Sequence, residues 1–282
     1  MQLNIRLLTD ADLENADGIL KSAFRQGESR ITELQLYRKV QPDGWFLALQ
    51  EGKPAGMVGA TNYKTLAYVG MMAVHQEYQR QGIGLALMQH ILAWLANRSV
   101  PLVLLDASDK GRPLYEKLGF NAYDPTYVMR RCDILPPNQL SPHAQIVTVQ
   151  DPDVLIGYDR HIFGADRSRM LRVLFNAFPG RVFLVRDERG LMAGYLFAQE
   201  SRIGPWVAES PKYADILLQA ALSLPYQGAV SLVVPEVNRD GIDLLRRSGF
   251  EIARINRHMG KGNSTSPIER RKIYGQTSLA VG

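Results

Sequence analysis

The sequence predicts an α/β protein of the α+β kind, with two tandem domains that are each a mixed, mostly antiparallel sheet flanked by helices. Three observations predict this fold. The 282 residues exceed the common size of one domain and suit two of similar size. The first half places a strand, a helix, a three-stranded meander, a second helix and a buried strand in order. The second half repeats this order, which indicates a duplicated domain.

The elements of the first half follow from periodicity and capping. An apolar strand runs from Leu3 to Leu8, and Thr9 or Asp10 caps a helix whose apolar residues recur at helical spacing. Alternating apolar residues between turn signals predict a meander at residues 45–50, 55–61 and 66–74. The remaining elements are a helix at residues 84–97, a buried strand at 102–105, and a helix that begins near Pro113 and ends at Gly119.

The repeat and a proline-rich segment set the expected domain boundaries. The hairpin around Gly52 recurs around Gly190, and Tyr115 and Phe120 have counterparts 130 residues later at Leu245 and Phe250. Three prolines between residues 132 and 143 exclude a helix or a central strand there. We therefore predict a first domain at residues 1–131, a linker at 132–143, and a second domain with a C-terminal basic tail at 144–282.

Composition excludes several classes of protein. Cys132 is the only cysteine, and the five histidines form no i, i+4 pair, so that no metal site is expected. No apolar run is long enough to span a membrane and no leader is evident, which predicts a cytoplasmic protein. Of the net charge of +5, residues 251–282 supply +4, as expected of a solvated basic end. No aromatic residues interleave these charges, which argues against a nucleic-acid partner.

A glycine-containing loop between a strand and a helix is the first candidate site. It consists of Gln79, Arg80, Gln81, Gly82, Ile83 and Gly84. Such a loop lets main-chain N–H groups and the helix dipole face an anion such as a pyrophosphate. A second copy of the pattern, at residues 257–262, precedes no helix, and we exclude it.

The loop in its context resembles the GNAT superfamily of acetyltransferases. The resemblance rests on the strand ending at Val74, the loop, the amphipathic helix, the buried strand and the sequence Leu114-Tyr115-Glu116-Lys117-Leu118-Gly119-Phe120, and it covers residues 1–131. It implies acetyl-CoA as co-substrate, with the pantetheine arm along one strand and the pyrophosphate in the loop. The positions that it assigns to the cofactor are Met72, Ala73, Val74, Gln79, Arg80, Gln81, Gly82, Ile83, Gly84 and Leu85.

The same resemblance implies a catalytic role for Tyr115. A phenol is protonated at neutral pH and can protonate the departing thiolate of CoA. Ser108 stands where the family often has an asparagine, and its hydroxyl can still bond the CoA arm. The general base stays open, because no carboxylate lies in the strand at residues 69–74. The candidates are Glu28, Glu77, Asp106, a water chain and the terminal carboxylate of Gly282.

The second half resembles a degenerate, GNAT-like domain of the kind found fused to active GNAT domains. The resemblance rests on Phe163-Gly164-Ala165-Asp166-Arg167, Ile203-Gly204-Pro205-Trp206-Val207-Ala208 and Arg257-His258-Met259. No glycine occurs between Gly204 and Gly228 to form a phosphate loop, and Leu245 replaces the tyrosine. We expect this half to be catalytically silent and to wall the acceptor cleft through Arg167, Trp206 and Tyr274, unless Arg167 only pairs with Asp166.

The sequence thus predicts an acetyl-CoA-dependent N-acetyltransferase that acts on a primary amine of a small molecule or a peptide by direct attack. The alternative is a module that binds or senses acetyl-CoA without turnover. Tyr115 separates the two, because only the enzyme needs a phenol that donates a proton. We expect no membrane partner, and a homodimer is left open.

Overall fold

The computed structural model describes residues 2–25, 27–132, 146–226, 228–262 and 265–282. The predicted linker therefore lies outside the described residues, apart from Cys132, which is exposed.

The first half has the predicted elements in the predicted order, with one helix, at Ile31–Val40, that the sequence did not predict. They are β1 (Leu3–Leu7), α1 (Leu13–Phe24), α2 (Ile31–Val40), β2 (Trp45–Gln50), β3 (Lys53–Asn62), β4 (Ala67–Val74), α3 (Ile83–Ala96), β5 (Leu102–Ala107), α4 (Arg112–Lys117) and β6 (Asn121–Arg131). Thr9 forms a capping box with Asp12 in the 3-10 turn that leads into α1.

The second half repeats the order, with one strand added at its end. Its elements are β7 (Ile146–Thr148), α5 (Asp153–Phe163), α6 (Ser168–Ala177), β8 (Val182–Arg186), β9 (Met192–Ala198), β10 (Ile203–Ala208), α7 (Pro211–Leu222), β11 (Val230–Pro235), α8 (Arg239–Arg247), β12 (Glu251–Gly262) and β13 (Ile273–Gly275). The excluded second copy of the loop pattern lies inside β12, a strand, so its exclusion is confirmed.

Two mixed, mostly antiparallel sheets flanked by helices carry the fold, as predicted. One has the order β1-β2-β3-β4-β5-β12-β6-β11, and the other has the order β13-β10-β9-β8-β7. The halves exchange their long final strands. β12 of the second half pairs with β5 through Met259 and Leu105, and β6 of the first half pairs with β11 through Val128 and Val233. The two halves are therefore joined by main-chain hydrogen bonds as well as by the chain.

A hydrophobic core lies between the halves as well as within them. One cluster joins Leu34 and Tyr37 of α2 to Leu171 and Leu174 of α6 and to Tyr195 of β9. A second packs α3 and α4 on one face of the first sheet, and a third packs α7 and α8 in the second half. Because apolar area is removed from water across the interface, the halves stabilise each other.

The last residues of the chain form a buried C-terminal segment and not a solvated tail, whereas Arg254 and Arg271 of the predicted basic end are exposed. Thr277 and Val281 have no exposed surface, and the Arg270 guanidinium is held by Asp124, with Nε 2.8 Å from Oδ1. Tyr37 donates to Ser278 Oγ at 2.8 Å, and Tyr63 donates to the main-chain oxygen of Val281 at 2.7 Å. The segment fills space between the halves because its last residues are apolar or small and its polar groups find partners there.

Gly70 on β4 makes room for this segment. A Cβ added at Gly70 would lie 2.5 Å from the main-chain oxygen of Ala280, so that backbone would have to move. We expect Gly70→Ala to lower the free energy of unfolding by about 1–3 kcal/mol through overpacking. In Gly18→Ala, on α1, the added Cβ meets nothing within 4 Å, and this control should raise stability by about 0.5–1 kcal/mol. Chemical denaturation measures the free energy of unfolding of both variants. Equal changes in the two would contradict the close approach of Gly70 to Ala280.

Candidate active site

The site begins where two parallel strands separate. β4 and β5 pair only at Ala67–Val103 and Tyr68–Leu104. Beyond Tyr68, β4 bulges away, since its register with β3 shifts and Met71 has a φ of 50°. In the described part of the chain no strand residue pairs with the β5 side of β4 from Val69 onward. This edge leaves main-chain groups available to an extended ligand.

The predicted loop lies at the open end of this splay. After a 3-10 turn at Gln76–Tyr78, Arg80 and Gly82 take φ values of 62° and 83°, and Gly82 becomes the N-cap of α3. Gln79 Nε2 donates to the main-chain oxygen of Val74 at 3.0 Å, which fixes the loop to the strand end. No side chain in the described ranges caps α3. Its first N–H groups are therefore available to an anion.

A cleft connects the loop to the splay. A Cβ added at Gly84 would lie 3.5 Å from Leu114 Cδ2, 3.7 Å from Val74 Cγ2 and 3.8 Å from Met72 Cε. These three side chains are part-buried and line the space beside Gly84. The space at Gly82 is open, because a Cβ added there would meet nothing within 4 Å. The cleft is thus apolar along its walls and open at the loop, as the pantetheine and pyrophosphate of a CoA thioester require.

Of the remaining predicted cofactor residues, Ala73 and Ile83 are buried and the other three are exposed. Ala73 pairs with Met57 of β3, so its side chain belongs to the core and only its main chain can face a ligand. The exposed residues are Arg80, Gln81 and Leu85. Gln81 Nε2 donates to the main-chain oxygen of Glu77 at 3.1 Å.

Tyr115 lies beside this cleft on α4. The residue is buried, and its ring meets Phe120 edge to face with centroids 6.0 Å apart. Burial raises the pKa of Tyr115 to about 12, so the phenol keeps its proton at neutral pH. Within the ranges described, no hydrogen bond engages the hydroxyl, and the atom is not enclosed. The proton is therefore available to a ligand.

Ser108 is brought next to Tyr115. A Cβ at Gly111 would lie 3.0 Å from Tyr115 Cε2 and 3.5 Å from Ser108 Oγ, so the two side chains flank this glycine. Ser108 Oγ accepts from the Gly111 N–H at 3.3 Å. The hydroxyl proton of Ser108 thus stays able to donate to a ligand.

Asp106, one candidate base, is enclosed by donors. Thr126 Oγ1 donates to its Oδ1 at 2.8 Å, Gln276 Nε2 donates to its Oδ2 at 3.2 Å, and Tyr68 also donates to Oδ2. Burial raises the pKa of Asp106, but His258 and Arg270 outweigh it and hold the pKa at about 2. A carboxylate of such low pKa is a poor proton acceptor at neutral pH.

The other candidate bases differ in exposure and surroundings. Glu28 is exposed between α1 and α2, and Glu77 is exposed in the 3-10 turn, 3.9 Å from His75. Gly282 packs against Tyr68 and Phe163, and its main-chain oxygen accepts from Arg167 Nη1 at 3.4 Å. Glu28 and Glu77 thus face solvent, whereas Gly282 and Asp106 both contact Tyr68.

His258 belongs to the site region but has no local signal in the sequence. It lies on the exchanged strand β12, fully buried, with Nδ1 3.3 Å from Asp106 Oδ1. Burial lowers the pKa of His258, so that it is neutral, and its Nε2 is enclosed without a partner among the described residues. Only the strand exchange brings β12 beside β5, and the local sequence pattern does not predict this exchange.

In the second half the equivalent cleft is filled by the chain itself. β13 pairs with β10 through Trp206–Gly275 and Val207–Ile273, and the Gln276 N–H donates to the Val233 oxygen of β11 at 2.7 Å. β13 therefore occupies the gap between β10 and β11 that corresponds to the splay of the first half. α7 begins at Pro211 directly after β10, with no glycine loop, and Leu245 is fully buried.

Three residues that we expected to line the acceptor cleft are buried in the second half. Trp206 packs on Tyr274 with centroids 5.2 Å apart, and both are enclosed. Arg167 pairs with Asp159, with Nη2 2.7 Å from Oδ1, and not with Asp166, which pairs with Arg160. Both expectations for Arg167 are therefore wrong, because its side chain turns into the core.

The described residues contain no group of His, Cys, Asp and Glu that could hold a metal ion. Among them, no helix has the length and apolar character to cross a membrane.

Comparison with known proteins agrees with this geometry. The sequence model of the Acetyltransferase (GNAT) family matches residues 13–120, and that of an Acetyltransferase (GNAT) domain matches residues 155–275. The uncharacterized N-acetyltransferase YitH of Bacillus subtilis (strain 168) is 26% identical over 95% of this chain and 96% of its own.

Solved structures are similar over nearly the whole chain. A Pyrococcus horikoshii protein assigned as an acetyltransferase superposes with a TM-score of 0.86 and 29% identity, over 99% of this chain and 96% of its own. A tandem GNAT protein from the clavulanic acid biosynthesis pathway shares the fold, with a TM-score of 0.62 and 14% identity over 94% of this chain and all of its own.

The chain belongs to the GNAT family of acetyltransferases and is an acyltransferase with two GNAT domains in tandem. The family uses acetyl-CoA and acts on amines.

Proposed function

We propose that the enzyme is an N-acetyltransferase that moves the acetyl group of acetyl-CoA to a primary amine of a small molecule or a peptide. The observation that carries the proposal is the splay between β4 and β5, which opens beside the uncapped N-terminus of α3 and next to Tyr115. The splay suits the thioester arm, the N-terminus of α3 suits an anion, and Tyr115 suits a leaving thiolate.

The first half alone supplies the acetyl-CoA site in this proposal. The free edge of β4 at Met72, Ala73 and Val74 pairs with the amides of the pantetheine arm, and the Ser108 hydroxyl donates to the same arm. The pyrophosphate is held by the loop and the first turn of α3. The residues of this cradle are Gln79, Arg80, Gln81, Gly82, Ile83, Gly84 and Leu85.

The proposed reaction is a direct attack. The amine nitrogen attacks the thioester carbonyl carbon, a C–N bond forms, the C–S bond breaks, and the amine proton passes to water in the cleft. Tyr115, which is protonated at neutral pH, donates its proton to the departing sulfur, and the amine proton passes through the water to the phenolate and restores the phenol. Cys132, the only cysteine, is exposed after β6, so the proposal contains no acylated enzyme.

A panel of amines and peptides tests this function. Each is mixed with acetyl-CoA and the full-length enzyme, and released CoA is measured by its free thiol. We expect release that depends on the amine, together with a product heavier by one acetyl group. Binding of acetyl-CoA with no acetylated product from any amine would contradict the proposal.

Gly84 gives a direct test of the cleft. A leucine side chain at this position would fill the space between Met72, Val74 and Leu114. We expect Gly84→Leu to raise the Kd for acetyl-CoA at least about tenfold, a loss of about 1.4 kcal/mol. Titration calorimetry measures this, and Gly157→Leu, on α5 where a Cβ meets nothing, is the matched control. Equal Kd values in the two variants would place acetyl-CoA elsewhere.

A further inference from the structure

The end of α1 and residues 27–30 lie over the end of the splay on the face opposite α3. On one side, the Gln76 N–H donates to Ser22 Oγ at 3.1 Å, which fixes the end of α1 to the end of β4. On the other side, Glu28 lies 3.8 Å from Arg130 at the end of β6. Since β5 and β12 stand between β4 and β6 in the sheet, these residues cross above both.

Arg254 lies beneath this crossing. Arg257 of β12 pairs with Ala107, the last residue of β5, so Arg254 extends past the end of β5. His258 contacts Tyr68 and Asp106 on the face of α1 and α2, whereas Met259 belongs to the core of α3. By alternation along the strand, Arg254 faces the same side as His258. Its side chain is exposed there.

The charge around Arg254 is positive. Its Nε donates to Asn256 Oδ1 at 3.1 Å, and no carboxylate within the described ranges pairs with it. Partial removal from water and then the charge of Arg30 lower the pKa of Arg254, while the buried Asp106 raises it. Arg254 is therefore within electrostatic reach of both the α1–α2 crossing and the splay.

The acidic groups of this cleft are already shared. Glu33 lies 2.9 Å from Arg30 and 2.5 Å from Arg202, so one carboxylate serves two guanidinium groups. Glu28 faces Arg130. With the buried Asp106, whose charge also acts on Arg254, three carboxylates face four arginines among the described residues, so that positive charge is in excess here. An anion that enters beside Arg254 reduces the repulsion between like charges.

We propose that the acceptor amine carries an anionic group, a carboxylate or a phosphate, and that Arg254 binds this group at the entrance of the cleft. The inference rests on the proposed N-acetyltransferase function and names its substrate class. The two terminal nitrogens of Arg254 have no hydrogen-bond partner among the described residues, and such a guanidinium matches the paired oxygens of either anion. Arg254 is a specificity residue in this view, since it holds the acceptor and takes no part in the transfer of the acetyl group.

Matched acceptors test the inference on the full-length enzyme. β-Alanine is compared with β-alaninamide, a peptide with a free C-terminal carboxylate with its amidated form, and phosphoethanolamine with ethanolamine. The charged member of at least one pair should have a kcat/KM higher by roughly 10- to 100-fold, as expected for hydrogen bonds to a charged group. The first two pairs report a carboxylate and the third reports a phosphate.

Arg254→Gln should remove this preference. We expect KM for the charged acceptor to rise roughly 10- to 100-fold with kcat nearly unchanged, while values for the neutral acceptor and the Kd for acetyl-CoA stay the same. Arg254→Lys should restore part of the preference, and Arg189→Gln, in the exposed β8–β9 turn, should change nothing.

Two other outcomes would overturn the inference in distinguishable ways. Neutral amines acetylated as efficiently as charged ones, or a preference that survives in Arg254→Gln, would refute it and leave the proposed function intact. Release of no CoA with any amine, charged or neutral, would overturn both.

Discussion

Replacement of Tyr115 by phenylalanine should lower kcat by roughly 10- to 1,000-fold without weakening acetyl-CoA binding. The variant keeps the ring that packs against Phe120 and removes only the hydroxyl, which has no partner among the described residues. Its loss leaves the fold unchanged and deprives the departing thiolate of a proton. Steady-state kinetics with a working acceptor measure the effect, and titration calorimetry measures the Kd for acetyl-CoA.

Tyr213→Phe provides the control, because it makes the same change on α7 of the second half, far along the chain from the cradle. It should keep full activity. Wild-type turnover in Tyr115→Phe would remove this residue from the mechanism. Loss of acetyl-CoA binding in that variant would instead assign Tyr115 a structural part in the cleft.

Removal of the Asp159 carboxylate should destabilise the protein by about 3–5 kcal/mol, since it leaves a buried cation without its counter-charge. Arg167 and Asp159 are both enclosed, with Nη2 2.7 Å and Nε 2.9 Å from the carboxylate oxygens. Arg167 Nη1 also donates to Thr277 Oγ1 at 3.1 Å. Asp159→Ala therefore weakens the packing of α5. It also weakens the contact of Arg167 with Thr277, which holds the C-terminal segment in place.

Asp153→Ala is the matched control on the same helix. Asp153 forms an Arg–Asp pair of equal length, 2.7 Å to Arg172, but both side chains are half exposed. Water screens such a pair, so its loss should leave stability almost unchanged. Urea denaturation of both variants gives the comparison, and similar losses in the two would show that burial does not govern the pair.

Local pattern was sufficient for most elements. The strand predicted at residues 45–50 coincides with β2, and the helix predicted at 84–97 begins and ends within one residue of α3. These segments carry their own signals, namely apolar alternation, a glycine before the helix and a length that suits one element. The loop and Tyr115 were found for the same reason, because each is a short contiguous motif.

Partners distant in sequence were not foreseeable in this way. The burial of Arg167, Trp206 and Tyr274 corrected our placement of the acceptor cleft, since an arginine or an aromatic residue looks the same in sequence whether it lines a cleft or a core. Arg254 gained its position only because β12 joins the first sheet, 147 residues along the chain from Ala107.

The sequence by itself determined the two α/β repeats, the glycine loop before α3, the tyrosine and the loss of both features from the second repeat. Tertiary structure alone decided the exchange of β6 and β12, the closure of the second cleft by β13 and the burial of the C-terminal segment. The physical reason is that the main-chain hydrogen bonds along the edge of a strand are the same for any neighbouring strand of suitable register. Hydrophobic patterning therefore specifies that a strand forms, but only the packing of the whole chain selects the neighbour with which it pairs.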